Sequence, residues 1–189
     1  SSSSAASDVY KRQQMYQVAM QCLQSGNIAQ AEQLLQKLRV YRPSDLTVLY
    51  SLAEIGYITG RPDAVIEIMQ RCIALDPNDA GAHHNLGNAL RTKGMHDEAL
   101  EALATAIRLT PDLADAHNTL GLTLKDLGRT DEAVAAFRKS VALNPAFAVA
   151  HSNLLLFLNY QTGVSPREIF SEHRQWSRSH EVPMKSRIA

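Results

Sequence analysis

The feature that most constrains the fold is a 34-residue spacing shared by two residue types. Glycines keep this 34-residue spacing at Gly26, Gly60, Gly94 and Gly128. Prolines keep the same 34-residue spacing at Pro43, Pro77, Pro111 and Pro145. Glycine adopts the left-handed conformation that ends a helix, and proline cannot continue one. The spacing therefore predicts tandem helix–turn–helix units, each with a glycine turn inside it and a proline after it.

Apolar residues follow a helical period on both sides of each glycine. In the third unit Leu86 and Leu90 lie one turn apart, and Ala99 and Leu103 do so in the partner helix. Small residues such as Gly121 and Ala99 are expected to let the two helix backbones approach closely. One hairpin cannot bury its own apolar faces, so the stacking of neighbouring hairpins must supply the core.

The pattern resembles the tetratricopeptide repeat (TPR), whose period is about 34 residues. Two segments are similar to its most typical strings: Asn-Leu-Gly-Asn-Ala-Leu at 85–90 and Gly-Arg-Thr-Asp-Glu-Ala at 128–133. One position departs from the pattern, because Val65 stands where a small residue is expected. The resemblance covers residues 12–160 and implies an all-α fold, a right-handed α-solenoid of TPR hairpins. The repeat units are expected at 12–45, 46–79, 80–113 and 114–147, with a partial unit at 148–160.

Both ends depart from the repeat. Residues 1–13 open with a serine-rich run that lacks the charge and apolar pattern of a secretory signal, and they predict a disordered, non-native leader before a solenoid at 14–160. At 161–189, Ser165, Pro166 and Glu168 predict a capped helix that seals the solenoid or joins it to a further region. The chain is expected to continue at both ends. One side of the last helix is expected to carry Ile169, Phe170, His173 and Trp176.

A second resemblance lies at this junction. It consists of the string from His151 to Tyr160, followed by Glu-His-Arg-Gln-Trp at 172–176. These segments are similar to a junction in the protein O-GlcNAc transferase-like glycosyltransferases (SPINDLY-like, glycosyltransferase family 41). In that family the repeats are followed at this junction by the catalytic lobes. The resemblance implies that this chain is an acceptor-binding arm without catalytic residues or cofactors. Its parent would be a protein O-glycosyltransferase that uses a nucleotide sugar, UDP-GlcNAc. The alternatives are a generic capping helix and a free-standing TPR assembly scaffold or co-chaperone-type adaptor.

The first helix of each hairpin is expected to line a concave groove. In the glycosyltransferase family an Asn at the sixth repeat position grips the acceptor peptide backbone, and the corresponding positions here are Gln17, Ser51, Asn85, Thr119 and Asn153. An Asn amide both donates and accepts hydrogen bonds, so it suits many peptide sequences. The alternative is that these amides bind water or a neighbouring helix. The candidate peptide-binding residues are Asn85, Asn153, Asn118, Asn88, His84, Thr119 and Lys125, and further groove candidates are Arg91, Asp115 and Asp126.

Composition narrows the class of partner to an extended polypeptide or protein. Lys plus Arg and Asp plus Glu both number 19, so the chain lacks the basic excess expected of a nucleic-acid-binding or polybasic membrane-binding protein. No apolar run approaches the ~18 residues of a membrane helix. Cys22 and Cys72 fall on apolar helical positions and predict buried thiols, which fits a cytoplasmic setting. Histidines recur at His83, His117 and His151 and are interpreted as packing residues, not metal ligands.

Overall fold

The computed structural model describes residues 2–161 and 163–180, and the regular elements within those ranges are all α-helices. The predicted all-α class is therefore confirmed. Among the described helices, none combines the length and apolarity needed to cross a bilayer. The helices are α1 (Ser2–Gln24), α2 (Ile28–Tyr41), α3 (Leu46–Ile58), α4 (Pro62–Leu75), α5 (Ala80–Thr92), α6 (His96–Leu109), α7 (Ala114–Asp126), α8 (Thr130–Leu143), α9 (Ala148–Leu158) and α10 (Pro166–His180).

The chain divides into two compact units, with the boundary inside α5. The N-terminal unit ends at Ala89 and the C-terminal unit begins at Leu90. We call α1, α3, α5, α7 and α9 the A helices, and α2, α4, α6 and α8 the B helices. Successive A helices from α3 onward begin at Leu46, Ala80, Ala114 and Ala148, the starts expected for the repeat units.

Each hairpin turns at one of the periodic glycines. Gly26, Gly60, Gly94 and Gly128 have φ values of 79°, 64°, 78° and 75°. In each case the N–H of the following residue donates to the carbonyl five residues earlier, as in Arg129 N to Leu124 O at 2.9 Å. This is the Schellman closure of a helix, and a left-handed glycine makes it possible. Asp45 and Asp79 then cap α3 and α5 by accepting from the N–H groups of Thr47 and Ala82.

Small residues face large ones where an A helix crosses its own B helix. A Cβ atom added at Gly56 would lie 2.6 Å from Cγ2 of Val65. The equivalent positions of the last complete hairpin hold the reverse pair, Leu124 and Ala133, which are both buried. Val65, which departs from the repeat pattern in sequence, is therefore accommodated because Gly56 replaces a leucine opposite it.

The core of the C-terminal unit forms around one aromatic ring. Phe137 is fully buried, and a Cβ atom added at Gly121 would lie 2.6 Å from its Cε1 atom. The ring stacks on Phe157 with centroids 5.8 Å apart. Ser140 is also fully buried, and it donates a 2.8 Å hydrogen bond to the Ala114 carbonyl, which offsets the cost of burying its hydroxyl. The close approach expected at Gly121 is thus confirmed.

The N-terminal unit buries both cysteines as free thiols, as the sequence predicted. Burial, together with the nearby carboxylate of Asp79, raises the pKa of Cys72 to about 11, although Arg71 opposes the shift. Thiolate is the nucleophilic form of cysteine, so a thiol with this pKa is chemically quiet at neutral pH. Cys72 therefore acts as a small core residue.

Helix α10 begins at the predicted cap, because the N–H of Glu168 donates to Oγ of Ser165 at 3.2 Å. Arg138 on α8 holds it by two ion pairs, to Glu168 at 2.6 Å and to Glu172 at 3.0 Å. Ile169 packs against the core of the C-terminal unit, whereas Phe170 is 63% exposed. The expectation that both residues share one face of α10 is wrong, since consecutive helical residues point about 100° apart.

The first helix also differs from the sequence expectation. Residues 2–13 lie within α1 and do not form a disordered segment. No glycine or proline precedes Gly26, so nothing in this stretch stops a helix from extending toward the N-terminus. That residues 1–13 are not native to the protein stays a prediction.

We predict that Gly121→Ala destabilises the protein by about 1–3 kcal/mol, because the new methyl group overlaps a buried ring. Urea unfolding followed by circular dichroism measures the loss. Phe137→Leu in the Gly121→Ala background should recover part of it, because a smaller side chain then faces the methyl group. A Gly121→Ala protein as stable as the parent would contradict this account of the contact.

We also predict that Gly56→Leu and Val65→Ala compensate each other. Each single change disturbs the contact between α3 and α4, by overpacking or by a cavity. The double variant recreates the Leu–Ala pair of the third and fourth hairpins. The stability lost in the double variant should therefore be smaller than the sum of the two single losses by at least about 0.5 kcal/mol. Thermal and urea unfolding of the four proteins give this coupling energy, and additive losses would disprove the pairing.

Candidate functional site

A groove of about 560 Å³ runs along the A helices of the N-terminal unit. Side chains of α3 form most of it, and α1 and α5 contribute one residue each. Its lining is neutral apart from one carboxylate and is rich in tyrosine. The lining residues are Tyr16, Leu46, Thr47, Tyr50, Ser51, Ala53, Glu54, Tyr57 and Asn85.

Hydrogen bonds hold all three tyrosine hydroxyls of this groove. Tyr16 Oη lies 3.2 Å from Oγ of Ser51, and Tyr50 donates to Asp79 at 2.7 Å. Tyr57 donates to the backbone carbonyl of Asn85 at 2.6 Å. Each bond joins neighbouring elements of the unit, so the rings are fixed in place before any ligand arrives.

Tyr50 and Tyr57 remain neutral at physiological pH. Burial and the hydrogen bond to Asp79 raise the pKa of Tyr50 well above its usual range. Burial also raises the pKa of Tyr57 to about 12, and a hydrogen bond from Asn88 only partly opposes it. These hydroxyls therefore serve as hydrogen-bond donors on an aromatic surface and not as nucleophiles.

Two of the residues predicted from sequence lie in or beside this groove. Asn85 is part of its lining, and Asn88 contacts the hydroxyl of Tyr57. His84 is partly buried on the same helix. The tyrosines and Glu54 were not predicted. A signal for them exists, because Tyr16 and Tyr50 occupy equivalent positions 34 residues apart.

In the C-terminal unit two of the predicted residues bond to each other. Nδ2 of Asn153 on α9 donates to Oδ1 of Asn118 on α7 at 3.0 Å. Asn118 and Thr119 are each only 6% exposed. The Asn118–Asn153 pair matches the Tyr16–Ser51 pair in register, because both join residues 35 apart on successive A helices. The alternative in which an amide binds a neighbouring helix is therefore the observed arrangement for Asn118 and Asn153.

Lys125 belongs to a charged cluster on α5 and α7. Asp126 pairs with Lys125 and, at 3.1 Å, with Arg91. Burial alone would raise the pKa of Asp126, but the hydrogen bonds from Lys125 and Arg91 outweigh it and the pKa falls below its usual range. Asp126 is thus a carboxylate at neutral pH, and it engages two of the predicted groove cations. Asp115 is exposed on α7.

The periodic histidines contact backbone and carboxylate groups. Nε2 of His83 lies 3.1 Å from the carbonyl of Pro77, and Nε2 of His117 lies 3.0 Å from that of Pro111. His151 is buried, with Nε2 3.9 Å from Glu172. Within the described ranges, no three His, Cys, Asp or Glu side chains come together as metal ligands would.

Helix α10 presents a basic outer surface. Its residues are Arg167, Phe170, Ser171, Arg174, Gln175 and Arg178. The guanidinium of Arg174 lies 6.0 Å from the centroid of the Phe170 ring. Most of these residues are exposed, as expected of a solvated helix face.

Comparison with solved structures identifies the fold. MamA is 25% identical to this chain, with a TM-score of 0.75 over 89% of this chain and 97% of that one. A TPR protein of Thermus thermophilus is 22% identical, with a TM-score of 0.72 over 94% of this chain and 95% of that one. The O-GlcNAc transferase of Thermobaculum terrenum is 26% identical, with a TM-score of 0.65 over 70% of this chain and 26% of that one. The protein is therefore a TPR-like helical repeat protein.

Comparison of the sequence with known protein families assigns the chain to one family. No curated protein matches it. A protein family does match, over residues 8–180, from within α1 to the end of α10. The chain belongs to this family, which is described as T7SS, ESX-1 secretion system protein EccA1, N-terminal domain.

Proposed function

We propose that this chain is a protein-binding module whose N-terminal groove holds an extended segment of a partner polypeptide. The observation that carries the proposal is the groove lined by Tyr16, Tyr50 and Tyr57 beside Asn85. Tyrosine offers a large contact area and has few rotatable bonds, so it loses little conformational entropy on binding. Here hydrogen bonds already fix the rings, which lowers that cost further.

The polar groups of the groove suit an extended backbone. Thr47, Ser51 and Asn85 stand among the tyrosines, and hydroxyl and amide groups can pair with peptide N–H and C=O groups. Such contacts do not depend on the partner's side chains. The proposed ligand is therefore a stretch of main chain with a few selected side chains.

The family suggests the setting in which this binding takes place. Its description names a secretion-system protein and an N-terminal domain of that protein. We propose that the chain recruits a protein partner for a larger secretion-system protein, which corresponds to the adaptor alternative. The cytoplasmic setting stays a prediction.

The second candidate is the acceptor-binding arm of an O-GlcNAc transferase-like enzyme. The junction string at His151–Tyr160 and the similarity to the Thermobaculum enzyme support it. In this case UDP-GlcNAc would bind to catalytic lobes outside this chain, and the A helices would pass Ser/Thr-containing segments to them. The burial of Thr119 and the pairing of Asn118 with Asn153 weigh against a continuous Asn ladder.

We predict that Tyr57→Ala weakens peptide binding about tenfold, because tyrosine is enriched among the interface residues whose truncation costs more than about 1 kcal/mol. The probe is an extended peptide selected by display on the unaltered protein, and fluorescence anisotropy gives its Kd. Tyr41→Ala removes an exposed tyrosine of the same unit outside the groove, so its Kd should not change. Equal losses in the two variants, or failure to select any peptide, would overturn the proposal.

Single Asn variants separate the two candidate functions. If the groove alone binds, Asn85→Ala should weaken binding of a Ser/Thr-containing peptide and Asn153→Ala should not. If an Asn ladder binds the acceptor backbone, both variants should weaken it by about threefold to tenfold, the worth of one hydrogen bond. Circular dichroism checks folding, because Asn153→Ala also removes the bond to Asn118. An unchanged Kd for both variants would exclude a contribution of these amides.

A further inference from the structure

The charge of the N-terminal groove comes from one side chain. Among the described residues that line it, Glu54 carries the formal charge and the others are neutral. Asp79 lies next to the groove, where it accepts the hydrogen bond of Tyr50. No Lys or Arg is among the lining residues that the structure describes. A ligand in the groove therefore meets a negative potential.

The carboxylate lies between two tyrosines on one helix face. Tyr50, Glu54 and Tyr57 occupy positions i, i+4 and i+7 of α3. Residues three and four apart are neighbours on a helix surface, with Cβ atoms about 5–6 Å apart. Glu54 thus has one ring a turn before it and another a turn after it. All three line the groove.

This arrangement suits a cation. The face of an aromatic ring is negative and attracts Lys and Arg groups, and a nearby carboxylate adds a direct ion pair. The apolar stem of Lys or Arg also covers hydrophobic surface while its head group stays polar, and Leu46 and Ala53 provide such surface. An acidic segment would be repelled by Glu54, and an apolar one would desolvate it without a partner.

The repeat framework does not require an acid at this position. The equivalent residues are Asn88 in the next hairpin and Leu122 in the one after it. Glu54 is exposed and does not belong to the core cluster of its unit. We propose that Glu54, with the rings of Tyr50 and Tyr57, forms a subsite for a Lys or Arg side chain of the bound polypeptide. This inference rests on the proposed peptide-binding function.

The test compares two extended Ser/Thr/Ala peptides that differ at one central residue, Lys or its neutral analogue acetyl-lysine. Anisotropy titrations with the full chain should show the Lys peptide binding about threefold to fivefold tighter, the size of an exposed cation–π contact. Glu54→Gln should reduce this preference by about twofold or more, the upper range of a surface ion pair. Glu67→Gln, a matched loss of a carboxylate on α4 outside the groove, should leave the preference unchanged.

Variants of Tyr57 test the contribution of its aromatic ring to the Lys preference. Tyr57→Phe keeps the aromatic face and should keep the Lys preference, whereas Tyr57→Leu should reduce it. Circular dichroism establishes that each variant is folded. If Tyr57→Leu does not fold, the Lys preference of Tyr57→Phe is compared with that of the unaltered protein.

The outcomes separate this inference from the function on which it rests. Equal binding of the two peptides, or a full Lys preference in Glu54→Gln, overturns the cation subsite and leaves peptide binding standing. Absence of binding by either peptide, and by any peptide selected on the protein, overturns both. A Lys preference lost in Glu54→Gln and retained in Glu67→Gln supports the subsite.

Discussion

The close crossing of each A helix over its own B helix is the contact on which the rest of the structure depends. A left-handed glycine reverses the chain between them, and a small residue opposite a large one lets the two backbones approach. Gly56 faces Val65 in one hairpin and Gly121 faces Phe137 in another. Because the contact needs a fixed sum of volumes and not a fixed residue at either position, the hairpins keep one geometry while their sequences vary.

Successive A helices are joined by polar contacts in a shared register. Three of these contacts each link residues 35 apart: Tyr16 with Ser51, Asn118 with Asn153, and Arg91 with Asp126. These side chains occupy the face that was expected to bind peptide. This face holds the helices of each unit together, and in the proposed function it also contacts a partner. A side chain used in one role is less available for the other.

The residues that distinguish the groove are those that depart from the repeat. Asn85 was predicted from a resemblance to a family that uses an Asn ladder, and it does line the groove. The resemblance could not indicate Glu54 and Tyr57, because the equivalent residues in the next hairpin are Asn88 and Arg91. Neither the 34-residue period nor the typical strings of the repeat indicate such residues. Their place in the groove is recognised only from the packing of neighbouring helices.

The sequence by itself determined the helices, their turns and their order, because glycine and proline act on the backbone locally and recur every 34 residues. It also determined which cysteines and small residues lie in the core. Only the tertiary structure decided which polar side chains remain available to a ligand. Asn118 is buried against Asn153, whereas Asn85 lines a groove. The physical reason is that the exposure of a side chain depends on its neighbours across the helix interface, which lie about one repeat away in the chain.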